Sequence, residues 1–253
     1  TLGVNAEGDS GLLALTIDPD FATNGYFYLW YATGPSSPGW SGETTDRLAR
    51  LTYSPATGTA DLSTHLTLLE GVKWHRWHNG GGLVFGADKL LYLSTGDADQ
   101  TQDARNPQTL NGKVLRIQPT ATGYTIPAGN PYVNTPGARP EVYAVGLRTP
   151  FRALLNPVDQ TVYVGDVGQK TWEELNRLDA PGLDFGWKVR EGPCYYESDD
   201  CTPALGLRDP YVAYRHPDTG YGNGGAITGM TVYTGSAFPA EYRNRIFFTD
   251  FDR

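Results

Sequence analysis

Residues 82–97 read Gly82-Leu83-Val84-Phe85-Gly86-Ala87-Asp88-Lys89-Leu90-Leu91-Tyr92-Leu93-Ser94-Thr95-Gly96-Asp97. An apolar run meets a short turn carrying Gly and Asp, and a second apolar run ends on Gly-Asp. That is a β-hairpin pattern, because aliphatic and aromatic side chains suit a pleated surface and Gly and Asp suit turns. The unit recurs. Leu12–Ile17 leads through Asp18-Pro19-Asp20 to Tyr26–Tyr31, and Ala153–Leu155 leads through Asn156-Pro157-Val158-Asp159 to Thr161–Asp166. A further copy runs from Met230–Tyr233 to Arg245–Asp250.

The turn residues Asp20, Asp88 and Asp159 stand 68 and 71 positions apart. An antiparallel unit recurring at tens of residues points to a radial or linear array, and propeller blades repeat at roughly 40–50 residues, so these blades should carry long loops. The reading is all-β and of β-propeller type, with a two-sheet sandwich as the alternative. No linker divides the chain, which gives one domain over residues 1–253. Four copies fit, and a closed ring often needs more, so the domain is expected to be incomplete. Thr171–Leu178 is the main stretch that also reads as a helical turn or two.

Composition agrees. The chain has 31 Gly, 18 Pro, 16 Tyr and 6 Trp among 253 residues, a mixture that favours short strands and turns over helices. Its formal net charge is −8, and the 20 Lys and Arg are scattered, which argues against a nucleic-acid partner. No apolar run reaches the ~20 residues of a membrane helix. The chain opens on Thr1 without a basic-then-apolar leader, so a processed chain with any export signal removed is expected.

Cys194 and Cys201 are the two cysteines. They lack C-x-x-C spacing and further metal ligands, which leaves a reduced pair or a disulfide. The disulfide is the expected state. It would be worth on the order of 2–3 kcal/mol for so short a loop and would indicate an oxidising compartment, periplasmic or extracellular. Gly220-Tyr221-Gly222-Asn223-Gly224-Gly225 spells the dinucleotide fingerprint, but it follows His216-Pro217-Asp218-Thr219 and not a strand. It reads as a Gly-rich loop.

Several ordered segments resemble the glucose/sorbosone dehydrogenase family. They are Gly11-Leu12-Leu13 through Phe21, His78-Asn79-Gly80-Gly81 through Asp97, Asn111 through Ile117, Glu141 through Pro150, and Gly165 through Asn176 with Phe185-Gly186-Trp187. The Cys194–Cys201 loop also resembles the Hedgehog-interacting-like branch. The resemblance implies a six-bladed propeller, with about four blades in this chain. It further implies pyrroloquinoline quinone (PQQ) with calcium beside it, and oxidation of an aldose at its anomeric hydroxyl with transfer to an electron acceptor.

Residue by residue, His78 matches the family's base, and imidazole titrates in the useful range. A backbone-bonded loop histidine is the plainer reading. His75, three residues earlier, makes an H-x-x-H that lacks later metal ligands. Asp97 is expected to orient His78, or simply to cap a turn. Arg148 matches an arginine facing the quinone, a role suited to a fixed guanidinium. Asp9 and Thr149 stand at cofactor-facing positions where the dehydrogenases usually carry Gln or Glu and Asn, and Gly82 stands where they usually carry Arg. Gly168, Gln169, Glu173 and Glu174 match the calcium loop, with Glu173 at the usual side-chain ligand position; otherwise the acidic pair would start an exposed helix.

Three functions follow. The first is a PQQ- and calcium-dependent sugar dehydrogenase using His78, Asp97 and Arg148. The second is a non-catalytic extracellular recognition propeller, signalled by the cysteine pair, Gly82 and the aromatic loops. Glycoside hydrolysis through Asp97 and Glu173 is a third, resting on composition alone.

Overall fold

Each quoted repeat folds as the first hairpin of a sheet, and in the first three a turn aspartate (Asp18 and not Asp20 in the first) is tied to a tyrosine on the second strand. The Tyr28 hydroxyl donates to Asp18 at 2.7 Å, Tyr92 to Asp88 at 3.0 Å and Tyr163 to Asp159 at 2.7 Å. The other carboxylate oxygen takes a backbone N–H two residues on, at Asp20, Leu90 and Thr161. One side chain thus closes the turn locally and anchors it to the strand behind. This is the physical content of the repeat.

The computed structural model describes residues 2–216 and 225–251. The first sheet runs in the order β1 (Leu12–Ile17), β2 (Tyr26–Ala32), β3 (Thr45–Ser54) and β4 (Thr59–Lys73). A single helical turn, Phe21–Asn24, sits in its first hairpin. The second sheet has β5 (Gly80–Phe85), β6 (Leu91–Thr95) and β7 (Lys113–Pro119), with β8 (Tyr124–Thr125) and β9 (Val142–Val145) both pairing β7. The third comprises β10 (Pro150–Leu155), β11 (Val162–Asp166) and β12 (Trp172–Leu178). A small hairpin of β13 (Arg190–Glu191) and β14 (Cys194–Tyr195) precedes its outer strand, β15 (Val212–Arg215). A two-stranded sheet, β16 (Ile227–Tyr233) and β17 (Arg245–Asp250), begins a fourth. All these pairings are antiparallel.

The inner strands β1, β5, β10 and β16 follow one another side by side, and the core lies between successive sheets. Trp30, Tyr28 and Leu48 of the first sheet pack on Leu91, Leu93, Leu115 and Ile117 of the second. Tyr92, Val114 and Tyr143 pack on Val162, Val164 and Phe185, and Tyr163 and Leu175 meet Ile227. A sheet buried on both faces needs apolar residues on both, as in β6, whose five residues are all buried. The described residues form an open part of a propeller, with two four-stranded sheets, one five-stranded sheet and the two-stranded start of another. On β1 the side chains of Leu12, Leu15 and Ile17 are exposed.

Thr171–Leu178 is not a helical turn. Trp172–Leu178 forms β12, with Glu173, Glu174, Leu175 and Asn176 buried, so tertiary pairing with β11 overrides local propensity. The Gly220–Gly225 motif lies outside the described residues except for Gly225. Cys194 and Cys201 are joined, sulfurs 1.96 Å apart. Reduction and alkylation should lower unfolding stability by on the order of 2–3 kcal/mol. An unchanged urea midpoint would show that the bond contributes nothing.

Candidate active site

The mouth of the described blades gathers residues 70 positions apart. His78 ends the loop after β4 in the left-handed backbone region, φ 64°, and the tightness of the next loop makes this possible. A Cβ on Gly96 would lie 1.8 Å from the His78 carbonyl, so only glycine permits that approach. Asp97, which follows β6, points back at the imidazole, its Oδ1 2.8 Å from His78 Nδ1. Asp97 is fully buried. It also accepts from the Asp99 N–H at 2.9 Å and, through Oδ2, from the Trp187 indole N–H at 2.7 Å. Three donors converge on an acceptor-only carboxylate.

Arg148 follows β9. Its Nη2 lies 2.8 Å from His78 Nε2, and a guanidinium only donates. Nε2 therefore carries the lone pair, and the proton sits on Nδ1, facing Asp97. The neutral imidazole is held in the tautomer that presents its base nitrogen to the site. Arg148 Nη1 donates to the carbonyls of Val167 and Gly168 at 3.0 and 2.7 Å. The guanidinium also lies over the Trp187 ring, 5.6 Å from its centroid.

The backbone carries these groups rigidly. The Asp97 N–H donates to the Arg148 carbonyl at 2.8 Å. The N–H groups of Arg148 and Thr149 donate to the buried Asp166 carboxyl at 2.9 and 2.6 Å. Glu191 Oε1 accepts four consecutive N–H groups, Gln169 to Trp172, at 2.7–3.2 Å, which fixes the loop beneath Arg148. On β7, Lys113 is buried and donates to the carbonyls of Asp103, Ala104 and Asn111; burial pulls its amine down to about 7.

Several expected positions serve differently. Asp9 accepts from the His78 N–H at 2.6 Å and the Asn79 amide at 2.8 Å. It braces the His78 loop, and burial raises its carboxyl against those same donors. Thr149 is buried, its N–H spent on Asp166. At Gly82 a Cβ would lie 2.3 Å from Ser94 Oγ and 2.8 Å from Ala153 Cβ. Ser94 Oγ there accepts the Gly82 N–H at 2.8 Å and donates to the Pro150 carbonyl at 2.6 Å. The close approach of β5 and β10 excludes any side chain. His75 Nδ1 accepts the Trp77 N–H at 3.3 Å, a local turn.

Arg148, expected to face a quinone, instead meets His78 directly, and their hydrogen bond leaves no gap between them. A quinone bearing carboxylates nevertheless fits the donors present. Arg148 is a guanidinium held by carbonyls and an imidazole, and its buried Nε has no hydrogen-bond partner. The expected calcium ligands do not fit as a set. Glu173 is fully buried in β12 and no helix starts there. Its Oε1 takes the Gly168 N–H at 3.1 Å and His216 Nε2 at 2.7 Å, and its Oε2 takes the Ile227 N–H at 2.9 Å. The Gly168 carbonyl is engaged by Arg148, and Gln169 contributes its N–H to Glu191. Among the described residues no group of three or more His, Cys, Asp or Glu is arranged to hold a metal ion. Trp187 and Glu191 were not among the expected site residues; the Phe-Gly-Trp segment was the one available signal for the first, and nothing local marks the second.

Comparison with known proteins gives the fold its family. The Glucose / Sorbosone dehydrogenase family model matches residues 2–252, and the chain belongs to that family. It is 26% identical to the HIPL2 protein of Arabidopsis thaliana, over 94% of this chain and 42% of that protein. A solved glucose dehydrogenase superposes with a TM-score of 0.79 at 29% identity, covering 97% of this chain and 67% of that one. The PQQ-bound aldose sugar dehydrogenase of Streptomyces coelicolor superposes at 0.69 and 28%, over 92% of this chain and 60% of that one. The chain thus spans less than half the length of the curated relative and about two thirds of the solved structures.

Proposed function

We propose, from this family membership and from the array at the mouth, that the chain carries the reaction centre of a PQQ-dependent dehydrogenase oxidising an aldose at its anomeric hydroxyl. The observation behind the reading is the His78 tautomer, with Nε2 unprotonated toward the site and Nδ1–H held by Asp97. Oxidising the hydroxyl to a carbonyl removes a proton from oxygen and a hydride from carbon. His78 Nε2 takes the proton, and the Asp97 carboxylate stabilises the imidazolium that forms. PQQ, when bound, supplies the acceptor for the hydride. Arg148 is the residue to hold its oxygens, because a guanidinium presents paired donors in a fixed fork. The reading also calls for a separate electron acceptor. The disulfide supports a periplasmic or extracellular setting. Calcium has no part in this proposal, since the oxygens of Glu173 are already committed.

A recognition propeller without oxidative chemistry is the competing reading, and the direct Arg148–His78 contact favours it. Quinone binding separates the two. Full-length protein incubated with PQQ should take up the cofactor, followed by its absorbance after gel filtration. Arg148→Ala should weaken retention by roughly 10- to 100-fold, the range for losing a charged hydrogen bond. Failure of the unaltered protein to bind PQQ would favour the recognition reading.

A further inference from the structure

We propose that Trp187 is a positioning residue that holds Asp97, and through it His78, in working orientation. The inference takes its catalytic meaning from the reading above, but its geometry stands by itself. Trp187 is buried, and its segment is fastened to the strand that carries Arg148. The Trp187 N–H donates to the Gly146 carbonyl at 3.0 Å and the Phe185 N–H to the Val145 carbonyl at 3.0 Å. A Cβ on Gly146 would lie 2.6 Å from the Gly186 nitrogen, so the two backbones meet only at glycine. The indole is also braced from the side by Tyr196, edge-on, with centroids 5.3 Å apart.

From that fixed position one side chain does two things. Its N–H occupies Asp97 Oδ2 at 2.7 Å, while Oδ1 faces the imidazole at 2.8 Å. Its face lies beneath the Arg148 guanidinium, within the reach of a cation–π contact. An Oδ2 left without a donor would carry the cost of an unpaired buried oxygen, while Oδ1 would keep its own two donors, His78 Nδ1 and the Asp99 N–H. With both oxygens occupied the carboxylate cannot turn without breaking a bond, so the indole helps to set the imidazole plane. The charged groups facing His78 are Asp97, Arg148 and, at its backbone N–H, Asp9.

Removing the indole N–H leaves more of the carboxylate's charge for the imidazole, which favours imidazolium. Trp187→Phe keeps a ring under Arg148 and removes only that donor. In cofactor-free full-length protein the His78 titration, followed by imidazole NMR, should therefore rise by about half a pH unit or more. In an Asp97→Asn background the same replacement should leave the titration unmoved, because the route through the carboxylate is gone. A midpoint that fails to rise in the first case, or that rises equally in both, overturns the proposal. Should Trp187→Phe not fold, the unaltered protein still decides. The Trp187 indole N–H resonance should shift with the midpoint of His78, and a resonance indifferent to that titration refutes the link. None of these readouts needs sugar oxidation, so the positioning role can stand or fall apart from the proposed activity.

Discussion

His78→Ala is expected to cut aldose oxidation by PQQ-loaded protein by roughly 10²–10⁴-fold, the usual worth of general-base help, while PQQ retention stays near the unaltered level. The asymmetry follows from what each nitrogen does. Nε2 is the single unprotonated nitrogen among the groups gathered around Asp97, and the other donors there, Arg148 and Trp187, cannot accept a proton. Arg148 remains anchored to the Val167 and Gly168 carbonyls, so its hold on the quinone does not depend on the imidazole. His78 occupies left-handed backbone, a region where Asn is tolerated better than most residues. His78→Asn is therefore the control that removes the base without adding backbone strain. It should lose turnover to the same degree. Activity surviving both replacements would defeat the base assignment, and a parallel loss of PQQ binding would place His78 among the cofactor contacts.

Three of the hairpins were legible because each carries its own instruction, a turn aspartate and a tyrosine fixed to it. That pairing is local, so spacing along the chain reveals it. The convergence of His78, Asp97 and Arg148 was legible through family resemblance alone, since blade-to-blade contact joins residues with no shared period. The exposed-helix reading of Glu173 failed for a related reason. Two adjacent glutamates look like an exposed helix start or a metal loop, whereas β12 buries both, on opposite faces. Burial of a carboxylate depends on which N–H groups meet it, and those come from Gly168, Ile227 and Gly192, up to 54 positions away. Gly82 was read as a missing cofactor contact. Its meaning is instead steric, set by Ser94 and Ala153 across two other strands.

Unfolding stability is expected to fall as pH rises from about 5 to about 8, by on the order of 3 kcal/mol, and Glu174→Gln should flatten that dependence. Glu174 and Asp166 face each other across β11 and β12. Burial pushes the Glu174 carboxyl up to about 7. Burial, with the charge of Glu174, pushes Asp166 well above the usual carboxylate range, against the N–H groups of Arg148 and Thr149. A carboxyl whose pKa is raised in the folded state binds more protons folded than unfolded, so stability is full below the unfolded value near 4.5 and is lost as pH rises through the folded value. The opposite slope would require a depressed folded pKa, which neither group has. Glutamine imitates the protonated acid. Its Oε1 can keep the Gly192 N–H, which Glu174 accepts at 2.6 Å. Asn176 now donates its amide to Glu174 Oε2 while its own buried Oδ1 has no partner. A flip of that amide turns Oδ1 toward the new donor and completes the pair. Glu174→Gln should therefore match the unaltered protein near pH 5 and exceed it near pH 8 in urea unfolding. Asp166 retains part of the slope, because it keeps its two backbone donors and its own burial. Parallel stability curves for the two proteins would mean that Glu174 ionises without cost where it lies, and that the carboxyl pair behind Arg148 does not share protons.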